Sequence, residues 1–252
     1  MNGDAQRFGW RGVVVPVGLV AAAEAAVHAT GWESTILAAP SVIAAAFWTA
    51  VVDGTVREAT LATLATALGG LALGAALGLL LGVLLGLMRT VDRLMEFTIE
   101  AFRPIPSVAL IPLALLIFGF GFRMEIAIVA FAAFWPILIL TRAAVAGVEP
   151  RLIQVAHALG FGFAARILKI VLPVALPRIL VAFRLAAGIA LIVAVTVEIA
   201  ANPLGLGHNM MLAQQTLRPE VMLALLVWLG VVGWGINRLL LWSEARLLRS
   251  PP

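Results

Sequence analysis

The stretch Glu149–Pro177, EPRLIQVAHALGFGFAARILKIVLPVALP, decides how the rest of the chain is read. It is the longest interruption carrying several basic residues in a hydrophobic C-terminal half. Glu149 and Pro150 suit the start of a helix, where an acid meets the positive dipole end and the missing Pro N–H costs nothing. Leu152, Val155, Ala156 and Leu159 then follow at i, i+3, i+4 and i+7, which predicts one apolar face. Gly160 stands where a left-handed C-cap belongs. A second short helix is expected after it, with Phe163, Ile167, Ile170 and Val171 on one side, Arg166 and Lys169 on the other, and Pro173 and Pro177 stopping it. The first helix is about 14 Å long, too short to cross a bilayer.

Composition identifies the solvent on either side of this stretch. Hydrophobic residues make up 63% of the 252 residues and charged residues 12%, with mean hydropathy +1.09. Soluble domains carry about 25% charged residues, so the chain reads as an all-α polytopic membrane protein. Its length holds six spans of ~20 residues with short loops and is read as one transmembrane domain over 1–252. The net charge of +4 comes from basic residues that punctuate apolar runs, which points to membrane orientation and not to nucleic acid. Cysteine is absent, which removes disulfides and thiolate metal sites.

Taken in order, a first span is expected from Val13 to about Trp32. Pro16, Glu24 and His28 weaken it, and the two polar residues also argue against a removable signal, so it is read as retained. Pro40 and Ser41 open a segment whose Phe47–Trp48 pair suits the membrane interface. Thr60–Met88 is the surest span. Gly70, Gly74, Gly78, Gly82 and Gly86 recur every fourth residue along it, giving a face where another helix approaches backbone to backbone. Whether that helix lies in the same subunit or in a neighbouring one is left open. Arg89 and Arg93 close the span, and a short helix with Glu96 and Glu100 runs to Arg103. Pro104 and Pro106 then break the backbone before RPIPSVALIPLALLIFGFG re-enters the membrane, an arrangement tolerated where the backbone is buried or lines a cavity. Further spans are expected over Met124–Gly147, Arg178–Ala200 and Val221–Trp242.

Placing the N-terminus, the 89–93 turn, the 149–173 loop and the C-terminus on one side gives that side twelve of the 17 Lys and Arg residues. The other side keeps Arg57, Arg123 and Arg218. The rich side is therefore expected to be cytoplasmic, with both termini inside. Arg103 and Arg184 remain in the membrane zone. Arg103 either faces a path or caps the helix before it; Arg184 is read as snorkelling to the cytoplasmic interface. Glu198 either pairs with Arg218 or meets an arriving protein. Arg103, Ser107, Glu198 and Asn202 are the candidate path residues.

No G-x-x-x-x-G-K-[ST] occurs, and the one lysine is Lys169, so nucleotide binding by that motif is excluded. H-E-x-x-H and a Ser/His/Asp set are also missing. The rival classes are a membrane enzyme, which lacks a chemical centre here, and a secondary transporter, which would show paired broken helices; a single broken segment is found.

The loop resembles the EAA loop of ATP-binding cassette (ABC) importer permeases, E-A-A, three residues, Gly, nine residues, I-x-L-P. Ala156, Gly160, Ile170, Leu172 and Pro173 match it, while Gln154 replaces the Glu and Val155 the first Ala. The broken segment resembles the permeases for nitrate, sulfonate, taurine and bicarbonate, with Arg103, Ile105, Pro106, Ala109, Leu110, Pro112, Leu113, Phe118 and Gly119 matching. Together the resemblance covers most of 60–250. It implies a type I importer permease of the bacterial inner membrane with six spans. A cytoplasmic coupling helix would offer Gln154, Val155, Ala156, His157, Leu159 and Gly160 to an ATPase. It further implies a homodimer, two ATPase subunits that bind ATP and Mg, an extracytoplasmic binding protein, no cofactor or metal in this chain, and a small anion as substrate. Vitamin precursors or aromatic substrates are the alternative.

Overall fold

In the computed structural model, residues 11–30 and 38–249 are described, with side chains from residue 14 to 248 except around residues 30–37. Arg7 and the end of the expected first span at Trp32 lie outside the described residues. Contact density divides the chain into two units, one of residues 1–57 with 209–228, the other of 58–208 with 229–252.

The first unit contains α1 (Arg11–Thr30) and α2 (Pro40–Val52). Glu24 explains why a polar residue interrupts α1. Its carboxylate accepts the Ser41 amide at 3.0 Å and the Ser41 hydroxyl at 2.6 Å, and it contacts His28 at 2.9 Å. An acid is thus held at the N-terminus of α2, where the helix dipole favours it. Trp48 is exposed, and Phe47 packs on Trp228 with ring centroids 5.4 Å apart. Asp53 ends this unit's hairpin. It accepts the Thr55 amide at 2.9 Å, a bond that holds its carboxyl below the usual range and starts α3 (Thr55–Leu87).

The second unit is built on α3 and α6 (Phe122–Ala146). The five glycines face α6 of the same subunit, which settles the alternative the sequence left open. A Cβ on Gly74 would stand 2.5 Å from the Ala130 carbonyl oxygen, and one on Gly78 2.9 Å from that of Phe134. Gly82 meets Leu138 and Thr141, and Gly86 meets Arg142 and Val145. Contacts advance together along both helices, so α3 and α6 run parallel. Two consecutive parallel helices need a crossing between them, and α4 (Arg89–Phe102) with α5 (Ile111–Phe118) supplies it. This pair is bent by 81° at the expected break, where a 3-10 turn, Ser107–Leu110, follows Pro106. At the α4 end, Arg142 grips Asp92 in a fork, Nε to Oδ1 at 2.5 Å and Nη2 to Oδ2 at 2.9 Å. The cluster Leu85, Ile99 and Leu138 packs beside it.

After α7 (Pro150–Ala158) the chain returns antiparallel to α6. The expected helix stop at Pro173 and Pro177 does not occur. Instead α8 (Phe163–Arg166), a π-helical turn (Ile167–Val171) and α9 (Leu172–Ala200) form one continuous helix of 38 residues. The wide turn takes up the strain that a proline places on the preceding carbonyls, so the helix passes through it. The span expected from Arg178 therefore begins at Phe163. α10 (Gly205–Gln215) and α11 (Pro219–Arg249) complete the chain. Arg184 does not snorkel alone: its Nη1 lies 3.5 Å from Glu244 of α11.

Among the described residues, four helices are long and apolar enough to cross a membrane, and the bent pair makes five. Six were expected; the apolar stretch of α1, Val14–Ala29, is the shorter candidate for the sixth.

The glycine seam gives a direct test. Gly74→Ala should lower stability by about 1–3 kcal/mol, because backbone on the far side cannot yield to an added carbon. Gly188 has nothing within 4 Å of a would-be Cβ, so Gly188→Ala should leave stability unchanged or raise it by up to about 1 kcal/mol. Thermal unfolding in detergent checks both.

Candidate functional site

Two places in the second unit gather the residues that sequence reasoning singled out. The first is α7 and its mounting. Glu149 is the N-cap and Pro150 the first helical residue, as the sequence predicts. Gly160 has φ +73°, its amide donates to the His157 carbonyl at 3.0 Å, and the Phe161 amide donates to Ala156 at 3.0 Å. These two bonds form a Schellman motif, which turns the chain sharply after little more than two helical turns.

The expected apolar face is divided between two sides. Ala156 is fully buried against its own chain, a correction to its expected place on a docking surface. It faces a small cavity that Leu87, Ile153, Ile170 and Val171 of the same chain also line. Leu152, Val155 and Leu159 stand outward, 39%, 55% and 66% exposed. Gln154 and His157 are also exposed. His157 is in contact with Arg166, whose guanidinium lies over Phe163 at 5.9 Å. Lys169 lies 5.4 Å from the Phe161 ring. One short helix thus has an apolar ridge outward and small or aliphatic residues inward.

The second place is at the far ends of α6 and α9. Glu125, Glu198, Asn202, Thr63 and Thr66 are all at most 2% exposed. Thr66 donates to one oxygen of Glu125 and the Asn202 amide donates to the other. Glu198 Oε2 accepts the Gly207 amide at 2.7 Å, and the Thr63 hydroxyl accepts the Leu206 amide at 2.9 Å. Gly205, at φ +93°, and Gly207 are needed here because a Cβ on either would collide with Glu198. The network joins α3, α6, α9 and the 201–207 turn.

Glu198 and Asn202 are therefore brought together, and neither opens to solvent in this structure. Of the two alternatives for Glu198, an ion pair with Arg218 is not among those formed: Arg218 lies 3.3 Å from Glu220, and Glu198 Oε2 accepts the Gly207 amide. Arg103 and Ser107 lie elsewhere, at the α4–α5 break. Arg103 is the C-cap of α4, with its amide on the Ile99 carbonyl at 3.0 Å and its side chain exposed. Ser107 is half-buried. Sequence reasoning missed Glu125, Thr63 and Thr66. The available signal was Glu125 itself, an acid set between Met124 and Ile126 at the start of a span.

A short amphipathic helix mounted between two long apolar helices, with a buried polar network at their far ends, defines a multi-helix membrane protein. The chain belongs to the family of binding-protein-dependent transport system inner membrane components, which matches residues 74–249. It is the permease component of such an ABC importer and a multi-pass membrane protein. It is similar to the putative aliphatic sulfonates transport permease SsuC of Escherichia coli K12, 34% identical over 87% of this chain and 83% of that one. It is also similar to the riboflavin transport permease RibX of Chloroflexus aurantiacus, 36% identical over 80% and 76%. An inward-facing MetNI methionine ABC transporter shares the fold with TM-score 0.66 at 23% identity, over 77% of this chain and 94% of that one.

The Schellman turn makes a testable claim about α7. Gly160→Val places a β-branched residue in the left-handed region, at a cost of about 1–3 kcal/mol. Hydrogen exchange at the amides of Gly160 and Phe161 should rise at least tenfold while the amides of α6 and α9 keep their protection.

Proposed function

We propose that two copies of this chain form the path of an importer for small organic oxyanions, with aliphatic sulfonates first among them. Two ATPase subunits carry ATP and Mg, one docked on each α7, and an extracytoplasmic protein delivers the substrate. The observation that carries the reading is the ridge of Leu152, Val155 and Leu159, apolar and outward on a helix whose other side is clamped into its own subunit.

The mechanism follows from the mounting. α7 leaves α6 through Gly147 and Val148 and enters α8 through the Gly160 turn. A push on α7 is thereby delivered to the cytoplasmic ends of two packed antiparallel helices at once. Interlocked helices move as a body rather than bend, so closure of the ATPases rocks α6 and α9 together, with α3 following through the glycine seam. Gln154 in place of an acid leaves docking to apolar contact and shape. On this reading the twelve-to-three basic asymmetry places α7 and both termini in the cytoplasm, in the inner membrane of a bacterium.

For the substrate, the 103–119 pattern and the sulfonate-transport relatives favour an anion, with Arg103 at the chain break as the cation on its path. Full uptake by an Arg103→Gln variant would remove that residue from the path. RibX favours a second reading, a flavin-like aromatic substrate. Reconstituted with its ATPase and binding protein, the permease should import alkanesulfonate or taurine and leave riboflavin outside; import of riboflavin alone would replace the first reading with the second.

Docking is tested independently of substrate. Val155→Asp places a charge in the centre of the ridge and should weaken co-purification of the ATPase at least tenfold, about 1.4 kcal/mol or more. The thermal unfolding of the permease should not change, because Val155 touches solvent in the free subunit. Unaltered ATPase binding in this variant would remove the ridge from the interface.

A further inference from the structure

The buried network at the ends of α6 and α9 has a charge problem that the importer reading does not address. Glu125 and Glu198 are 0% and 1% exposed. Among the described residues, no lysine, arginine or histidine pairs with either; the ion pairs formed involve Glu24, Asp92, Glu220 and Glu244. The two carboxyls belong to one site. Thr63 and Thr66 lie three residues apart on α3, Glu198 stands in the last turn of α9 with Asn202 four residues on in the 201–207 turn, and each pair bridges the two halves of the network. A carboxylate withdrawn from water without a compensating charge is strongly disfavoured, and two side by side more so.

Hydrogen-bond accounting locates the deficit. Glu125 has both oxygens supplied, by Thr66 and Asn202. Glu198 Oε2 takes the Gly207 amide. Glu198 Oε1 and Asn202 Oδ1 are buried acceptors without a donor. Buried acceptors in native proteins are satisfied, so the site lacks a species that is positive and has no acceptor of its own.

We propose that this network binds one monovalent cation, held between Glu198 Oε1 and Asn202 Oδ1 and neutralising Glu198, while Glu125 keeps its charge on the Thr66 and Asn202 donors. The shared chemistry is a single positive charge on carboxyl and amide oxygens, and a proton and a sodium ion both provide it. Magnesium and calcium require six or more oxygens, and four of the oxygens here already accept N–H or O–H donors; a proton needs only the two free acceptors and is the occupant the site favours, with sodium as the other outcome of the test. No cluster of three His, Asp or Glu residues suited to a metal occurs among the described residues. The cation would fix the 201–207 turn, since Glu198 and Thr63 also hold its amides. The site involves neither substrate nor ATPase and is independent of both.

The test uses the full chain in lipid nanodiscs. In one arm, infrared difference spectroscopy looks for the carbonyl band of a protonated carboxyl in the wild type and its loss in Glu198→Gln or Glu125→Gln. In the other, thermal unfolding is compared in sodium chloride and choline chloride of equal ionic strength, with chelator present. A band lost in either variant identifies a proton. A rise of several degrees in sodium over choline, seen in wild type and lost in Glu198→Gln, identifies sodium. The sodium comparison in the wild type does not depend on any variant folding. No such band together with identical unfolding in the two salts would overturn the proposal, as would a band that persists in both variants.

Discussion

The close approach of α3 to α6 is the contact on which the second unit depends. In a bilayer, lipid tails are as apolar as leucine, so helices associate through packing and backbone proximity rather than through a hydrophobic drive. Five glycines at a spacing of four give α3 a groove along its length, and the ridge of α6 fills it with Val129, Ile137, Thr141 and Val145. The parallel direction of the two helices then requires a crossing between them. That crossing is the bent α4–α5 pair, and its break at Pro104 and Pro106 follows from the same requirement. The Asp92–Arg142 fork pins α4 to the end of α6 that leads into α7, so the mounting of α7 inherits its rigidity from the seam.

From that rigidity comes the division of labour in the loop. On the proposed function α7 transmits force, and a helix that does so must not rotate on its axis. α7 is prevented from doing so by Ala156 and Ile153 on the inside and by the Gly160 turn at its end. Its outward residues are then free to be a contact surface. At the opposite ends of α6 and α9 the constraint is electrostatic instead of steric. Polar side chains from four elements close on each other there, and the glycines at 205 and 207 are small because Glu198 occupies the space above them.

How much of this was legible in the sequence depended on whether a signal was local. The Gly160 cap, the Pro40 helix start and the break at 103–107 rest on backbone chemistry that a residue and its neighbours determine, and the structure has all three. The glycine period was equally visible, but its partner was not, because α6 carries no motif of its own; Val129 and Thr141 are ordinary residues that matter through register. The proline at 173 was misread as a stop because the π-helical turn that accommodates it has no sequence signature. The division of the α7 face went wrong for a related reason. Periodicity shows which residues share a stripe, but the expected stripe was wide: Ala156 stands about 100° round the helix from Val155, and it turns inward while Val155 stays out. Glu125 carries no motif that marks it in the sequence, and Thr66 and Asn202, distant in the chain, draw it into the interior.

The central claim is that α9 carries the chain across the membrane between the α7 loop and the 201–207 turn, with α7 on the ATPase side. The chain has no cysteine, so single cysteines report side directly. Val155→Cys and Leu204→Cys replace residues that are 55% and 41% exposed. Treated with a membrane-impermeant thiol reagent, intact cells should label the cysteine at 204 at once and the cysteine at 155 only after permeabilisation. Labelling of both from the outside, or of 155 alone, would contradict the account.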